Sequence, residues 1–236
     1  PVMGAPVSSA GMEEAELCRL AACLHAGGTR TLGLGMSLGD LCMDEGFYPA
    51  VFAQLAAAAA RLREKSGLTV RIFDLGGGFG VSCRPDCPGP DLSACAEALR
   101  AQTCALPEAL QGVQLSMSPG RFLAAGGGVL VCRVLAVKPG PTAVLDVSAA
   151  QCLRLEKRGA YHAAAALRTA GRPPLLQQLT TLEQGAPFAR QVLPQLRAGD
   201  PVVIRMLGAD GRSFSCASER CPAYLLRADG TIEPIE

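Results

Sequence analysis

Apolar residues recur at two different spacings along the chain, and the spacing changes near Gly126, Gly127 and Gly128. On the N-terminal side, Glu13 to Leu24 places Leu17, Leu20, Ala21 and Leu24 on one helical face, and Thr31 to Leu38 reads as a strand. Phe47, Val51, Leu55, Ala59 and Leu62 mark a second helix that ends near Lys65, Ser66 and Gly67. A short apolar run from Val70 to Leu75 then predicts a buried strand. Asp91 is placed to cap a third helix that ends near Pro107, and Val113 to Met117 predicts the next strand. Strands alternating with helices of this length predict βα units with parallel pairing, about three of them before residue 125.

Beyond the glycine cluster the runs shorten: Val129 to Val137, Thr142 to Val147, Pro201 to Met206, Ser213 to Ala217 and Ala223 to Leu226. Turn-forming stretches at Lys138 to Pro141, Ala198 to Asp200 and Ala228 to Gly230 separate them, which predicts an antiparallel β domain. Leu175 to Leu196, rich in Gln, Leu and Pro, suits a strand or a helix. The expected fold is therefore α/β plus β: part of a parallel (β/α) barrel over residues 1–125, then a mostly antiparallel β domain over 126–236. A closed eight-stranded barrel takes about 200 to 250 residues. Roughly half of that would leave parallel edges exposed, so the missing strands are expected from an upstream segment, from another chain, or from some smaller closure. Because the first residue is Pro1 rather than Met, the chain is expected to be an N-terminally truncated piece of a longer one.

Composition narrows the function classes. A net charge of +1 gives no reason to expect nucleic acid or an anionic membrane as partner. No apolar run approaches the roughly 18 to 20 residues of a membrane span, and the opening PVMGAPVSS lacks the pattern of a secretory leader, so a cytoplasmic location is expected. The 11 cysteines are scattered through helix-like and strand-like segments, which predicts buried reduced thiols rather than disulfides. Cys83 and Cys87 lie close together in a loop but lack a second pair at ligand spacing, so no metal site is predicted.

Candidate chemistry gathers at two places. Gly76, Gly77 and Gly78 follow the Val70 strand directly, and backbone N–H groups free of side chains can converge there on an anion such as phosphate. Arg121, in SPGRFL after the next strand, would complete such a cradle. An ordinary strand-to-loop turn explains three glycines as readily. Arg154 lies in an alternating, strand-like run where a solvated arginine is common. Tyr161 and His162 suit a domain interface, and His25 suits the end of the first helix.

DLGGGFGV followed by PGRFLAAGGGVLVCRVL, and then by VLDVSAAQCLR, GAYH, LEQG, AGDPVV and GADGRSFSCAS, resembles the pyridoxal-phosphate decarboxylases of the diaminopimelate and ornithine group. Their fold is an alanine-racemase-like barrel with a C-terminal β domain. The resemblance implies that Gly76, Gly77, Gly78, Gly120 and Arg121 bind the cofactor phosphate. It also implies that Arg154, Tyr161 and Glu183 contact an amino-acid substrate, and that a second copy or a complementing chain completes the site.

Departures from the pattern accompany it. The only lysines are Lys65, Lys138 and Lys157, none at a strand end near the glycines. Ser118 stands where the family has the glutamate that faces the pyridine nitrogen, and Gly35 and Ser37 stand for its histidines. Leu182 to Ala186 lack the cysteine and acid of the segment a partner supplies, and Asp210 replaces a tyrosine. No catalytic residue is predicted, and pyridoxal phosphate is expected to bind weakly and without a covalent tether. Two readings follow: a decarboxylase fragment or degenerate member inactive by itself, or a non-catalytic phosphate-ligand-binding or partner subunit.

Overall fold

The computed structural model describes residues 11–39, 42–82, 87–148, 151, 161–183, 189–209 and 221–235. They form two compact units, one of residues up to 82 and 88–122, the other of Cys87 and the residues from 123 onward. In the first unit, α1 (Glu14–Ala26) leads to β1 (Thr31–Gly35), α2 (Phe47–Ser66) to β2 (Thr69–Asp74), and α3 (Leu92–Cys104) to β3 (Gln114–Ser116), with a short α4 (Gly120–Ala124) after it. The sheet has the order β1-β2-β3 and is parallel throughout, with Gly35, Asp74 and Ser116 in register at its C-terminal end.

α2 forms where the 3–4 spacing predicts. Phe47, Val51, Leu55, Ala59 and Leu62 are all buried against Val70, Phe73 and Leu75 of the β2 segment. Gly67, at φ +76°, ends the helix in the left-handed conformation, and its N–H bonds to the Arg63 carbonyl. Asp91 caps α3 through Oδ1, which accepts the Ala94 N–H at 3.0 Å. α1 departs from its predicted face: Cys18 and Ala21 are buried, while Leu20 and Leu24 are 44% and 40% exposed. α2 is the neighbouring helix and covers only a narrow strip of α1, held in part by an Arg61–Glu14 ion pair at 2.7 Å.

The second unit is built on a six-stranded, mostly antiparallel sheet. It contains β4 (Leu130–Lys138), β5 (Thr142–Leu145), β6 (Ala164–Ala166), β7 (Pro174–Thr180), β8 (Ala189–Pro194) and β9 (Pro201–Ile204), in the order β6-β9-β4-β5-β7-β8. Only β5 and β7 pair in parallel. The two end strands approach each other, and the buried Gln191 bridges them. Its Oε1 accepts the Ala164 N–H at 3.0 Å, and its Nε2 donates to the His162 carbonyl at 2.7 Å. One amide side chain thus does the work of a missing pair of ladder bonds, and the sheet curls into a nearly closed barrel around Val134, Leu145, Leu179 and Ile204. The described residues within Leu175 to Leu196 form β7 and β8, paired antiparallel. A separate hairpin pairs β10 (Ala223–Leu226) with β11 (Ile232–Ile235). The predicted run at Ser213 to Ala217 lies outside the described residues.

Candidate functional site

The glycine loop leaves β2 at Asp74 and crosses the C-terminal end of the parallel sheet. Asp74 turns back on it, its Oδ1 accepting the Gly76 N–H at 2.9 Å. Gly76 has φ +72° and Gly78 φ +90°, a region open to glycine and costly for other residues. A Cβ at Gly76 would lie 2.6 Å from the Met36 carbonyl oxygen, and one at Gly77 would lie 2.7 Å from that of Ser118. The close approach that excludes side chains here is therefore to the segments following β1 and β3. No ligand is needed to explain either glycine.

The ligand argument rests on how the peptide groups are used. The Gly76 carbonyl accepts the Ser118 N–H at 2.9 Å, the Gly77 carbonyl accepts the Tyr48 hydroxyl at 3.0 Å, and the Gly78 carbonyl accepts the Cys42 N–H at 2.8 Å. A trans peptide points its N–H opposite to its C=O, so the N–H groups of Gly77, Gly78 and Phe79 are held in set directions. These three N–H groups make no hydrogen bond among the described residues, although Gly77 and Gly78 are half-buried. A row of oriented donors of this kind is an anion-binding arrangement.

Arg121 is brought to the same end of the sheet. The Ser118 N–H bond ties its turn to the loop, the Gly120 N–H closes onto the Ser118 carbonyl at 2.9 Å, and Phe122 meets Phe79 with ring centroids 5.4 Å apart. Arg121 is half-buried and lies in the first turn of α4, five residues beyond Ser116, the end of the strand where the sequence suggested it. Proline and glycine after Ser118 end the strand and let the chain turn into that helix.

The sequence reading passed over Tyr48. The chain has seven Phe, three Tyr and no Trp, and four of these rings gather here. Phe47 meets Tyr48 edge-on at 5.0 Å, Tyr48 stacks on Phe79 at 4.4 Å and 10°, and Phe79 meets Phe122. Burial pushes the Tyr48 phenol up to about 12, with Cys42 and Cys95 adding to the effect, so the hydroxyl remains a donor across the physiological range. The scarcity of aromatics, set against FY at the start of α2 and F in GGGFG, was the signal available.

The ring end of a pyridoxal site is different. Gly33 and Gly35 carry no side chain over the sheet, and a Cβ at Gly35 would lie 3.2 Å from Asp74 Cβ. Ser37 and Ser118 are exposed. Lys65 ends α2 at the opposite end of the sheet from the loop, with the six residues of β2, about 20 Å of strand, between them. Lys138 is the last residue of β4 in the second unit. Lys157, Arg154 and Asp210 lie outside the described residues. Tyr161, half-buried, and Glu183, exposed, belong to the second unit. Within the first unit, the described residues thus offer N–H donors suited to an anion such as the cofactor's phosphate, and the described lysine, Lys65, stands away from them.

Residues 11–125 match the sequence model of the pyridoxal-binding domain of pyridoxal-dependent decarboxylases. The chain is 34% identical to a diaminopimelate decarboxylase of Campylobacter jejuni over 172 residues, which are 69% of this chain and 41% of that protein. It is 30% identical to Protein TabA of Pseudomonas amygdali pv. tabaci over 232 residues, 94% of this chain and 54% of that one. The chain therefore spans about half the length of these curated relatives. Among solved structures, the diaminopimelate decarboxylase of M. jannaschi superposes with a TM-score of 0.82 at 19% identity, covering 96% of this chain and 54% of that one. The Helicobacter pylori enzyme complexed with L-lysine gives 0.78 at 22% identity, covering 99% and 59%. Both share the fold of a parallel βα part followed by a β domain.

Proposed function

The chain belongs, through residues 11–125, to the pyridoxal-dependent decarboxylase family, and from that premise we propose that it is a degenerate member that retains the phosphate cradle and has no decarboxylase activity by itself. The observation that carries this reading is the glycine loop. Its carbonyls are all engaged by protein donors, and the N–H groups of Gly77 and Gly78 are oriented and unspent at the end of the sheet to which the Arg121 turn is tied. Gly76 and Gly120 shape the two turns that bring these donors together. Pyridoxal phosphate, when bound, supplies an electron sink for breaking bonds at an amino acid's α-carbon. That chemistry also needs a lysine amine and a partner for the pyridine nitrogen. Lys65, the described lysine of the first unit, stands at the opposite end of the sheet from the loop, and the Ser118 hydroxyl cannot balance a pyridinium charge as a carboxylate would. The cofactor is therefore held non-covalently and weakly, and no catalytic step is assigned to this chain.

A partner-subunit role is the second reading, and the sheet favours it. β1 and β3 are both edge strands among the described residues, and Leu115 on β3 is 41% exposed. A second copy or a complementing chain that pairs with those edges would cover both. An amino-acid ligand would then be met by Arg154, Tyr161 and Glu183. We place the protein in the cytoplasm, a reading supported by 11 cysteines scattered through helix-like and strand-like segments, as is usual for thiols kept in a reducing compartment. No helix among the described residues is long and apolar enough to cross a membrane.

Titration with pyridoxal phosphate followed by borohydride tests the central reading. The expected result is saturable binding that inorganic phosphate displaces, with no lysine adduct. A stoichiometric adduct at one lysine, together with decarboxylation of an amino acid, would overturn it.

A further inference from the structure

Of the three loop carbonyls, those of Gly76 and Gly78 are held by backbone N–H groups, of Ser118 and Cys42. Only the Gly77 carbonyl is held by a side chain, the Tyr48 hydroxyl, across 29 residues of sequence. The Gly77–Gly78 peptide, like Gly76–Gly77, is also a link between two glycines that resists rotation little by itself. With no Cβ on either side, its plane can rotate by paired changes in Gly77 ψ and Gly78 φ that a larger residue would resist. A rotation of that kind would exchange the Gly78 N–H for the Gly77 carbonyl oxygen at the anion site, replacing attraction with repulsion.

We propose that Tyr48 is a positioning residue for the phosphate cradle, its hydroxyl acting as the latch that keeps the Gly77–Gly78 peptide turned with the Gly78 N–H toward the anion. The latch is itself held firmly. The Tyr48 ring is 1% exposed, wedged edge-on against Phe47 and stacked on Phe79, which belongs to the same loop. A phenol so placed can swing little, and the loop cannot move without sliding along the ring. Phe122, against the other side of Phe79, extends the column to the residue after Arg121. The aromatic column therefore ties the loop that carries the backbone donors to the helical turn that carries Arg121, so the anion need not order those two segments on binding. This inference rests on the phosphate-cradle reading and adds to it the residue that sets the donor direction.

The test is Tyr48→Phe in the full chain, which keeps the ring and its stacking and removes only the hydroxyl. Inorganic phosphate is titrated while the backbone amide resonances of Gly77 and Gly78 are followed. In the unsubstituted chain both amides should shift saturably. In Tyr48→Phe the Gly78 response should collapse while the Gly77 response, set by the Ser118 tether, persists, and affinity should fall about tenfold, the scale of one hydrogen bond to a charged group. Equal Gly78 responses in the two proteins would overturn the latch and leave the cradle standing. No response of either amide in the unsubstituted chain would overturn the cradle, and the latch with it. Should the variant not fold, the unsubstituted chain supplies a second readout. The Tyr48 hydroxyl proton should exchange slowly enough to be observed and should show contacts to the Gly77–Gly78 link, and its rapid exchange with water would overturn the latch.

Discussion

Gly76 combines a left-handed backbone with a Cβ direction blocked by the Met36 carbonyl and the Ser37 backbone, at 2.6 and 2.9 Å. Gly76→Ala should therefore destabilise the first unit by about 2–4 kcal/mol, from backbone strain and from forced separation of two packed segments. Chemical denaturation would show this as a lower midpoint with an unchanged slope. Gly120, whose Cβ direction is open, should tolerate alanine far better. Asp200 is a buried carboxylate expected to contribute to acid stability. It is 8% exposed, pairs with both terminal nitrogens of Arg172, and accepts the Arg197 N–H at 2.7 Å. The Arg172 guanidinium, aided by that backbone bond, holds its carboxyl below the ordinary carboxylate range despite its burial. A depressed folded-state value means that the stabilisation is present at neutral pH and disappears as pH falls through that value. Asp200→Asn should lower stability at pH 7 and flatten its decline toward pH 3, and parallel urea titrations at the two pH values would check both effects.

The elements were legible wherever burial followed a simple period. α2 and β2 could be read because Phe47, Val51, Leu55, Ala59, Leu62, Val70 and Phe73 all face one core. The β7–β8 pair could not be decided because Gln177 and Gln191 occupy inward positions that polarity alone assigns to solvent. Gln177 is 1% exposed and is satisfied by the Leu193 and Pro194 carbonyls and by the Leu196 N–H, an arrangement set by tertiary contacts. β6 is three alanines, strong helix formers, made into a strand by pairing with β9 and by the Gln191 bond. Gln191→Glu should preserve the acceptor for Ala164 and lose the donor for His162, whereas Gln191→Leu loses both and leaves two backbone groups unpaired. The leucine variant is expected to cost about 1–3 kcal/mol and to speed hydrogen exchange at the Ala164 amide, with the glutamate variant retaining Ala164 protection. Equal exchange in the two variants would show that the seam is held elsewhere.

At the scale of the molecule, a glycine loop with oriented N–H donors stands on a three-stranded parallel sheet with two edges, joined in sequence to a β unit whose own sheet is nearly closed by Gln191. The glycines and Arg121 were legible as candidates from their place after apolar runs. What sequence could not give was the use of each peptide group, since the Tyr48 hydroxyl reaches Gly77 only after α2 has packed on β2. The open edges of β1 and β3 are expected to drive association with a second copy or a complementing chain, and light scattering across a concentration series would detect it; a stable monomer at high concentration would remove the partner-subunit reading. The phosphate cradle is tested most directly by calorimetric titration of inorganic phosphate into the unsubstituted chain and into Arg121→Gln, with thermal unfolding of both as the fold control. The account predicts one saturable site in the unsubstituted chain and at least tenfold weaker binding in the variant, the scale of losing one charged donor to an anion. Equal binding by two equally folded proteins would contradict it.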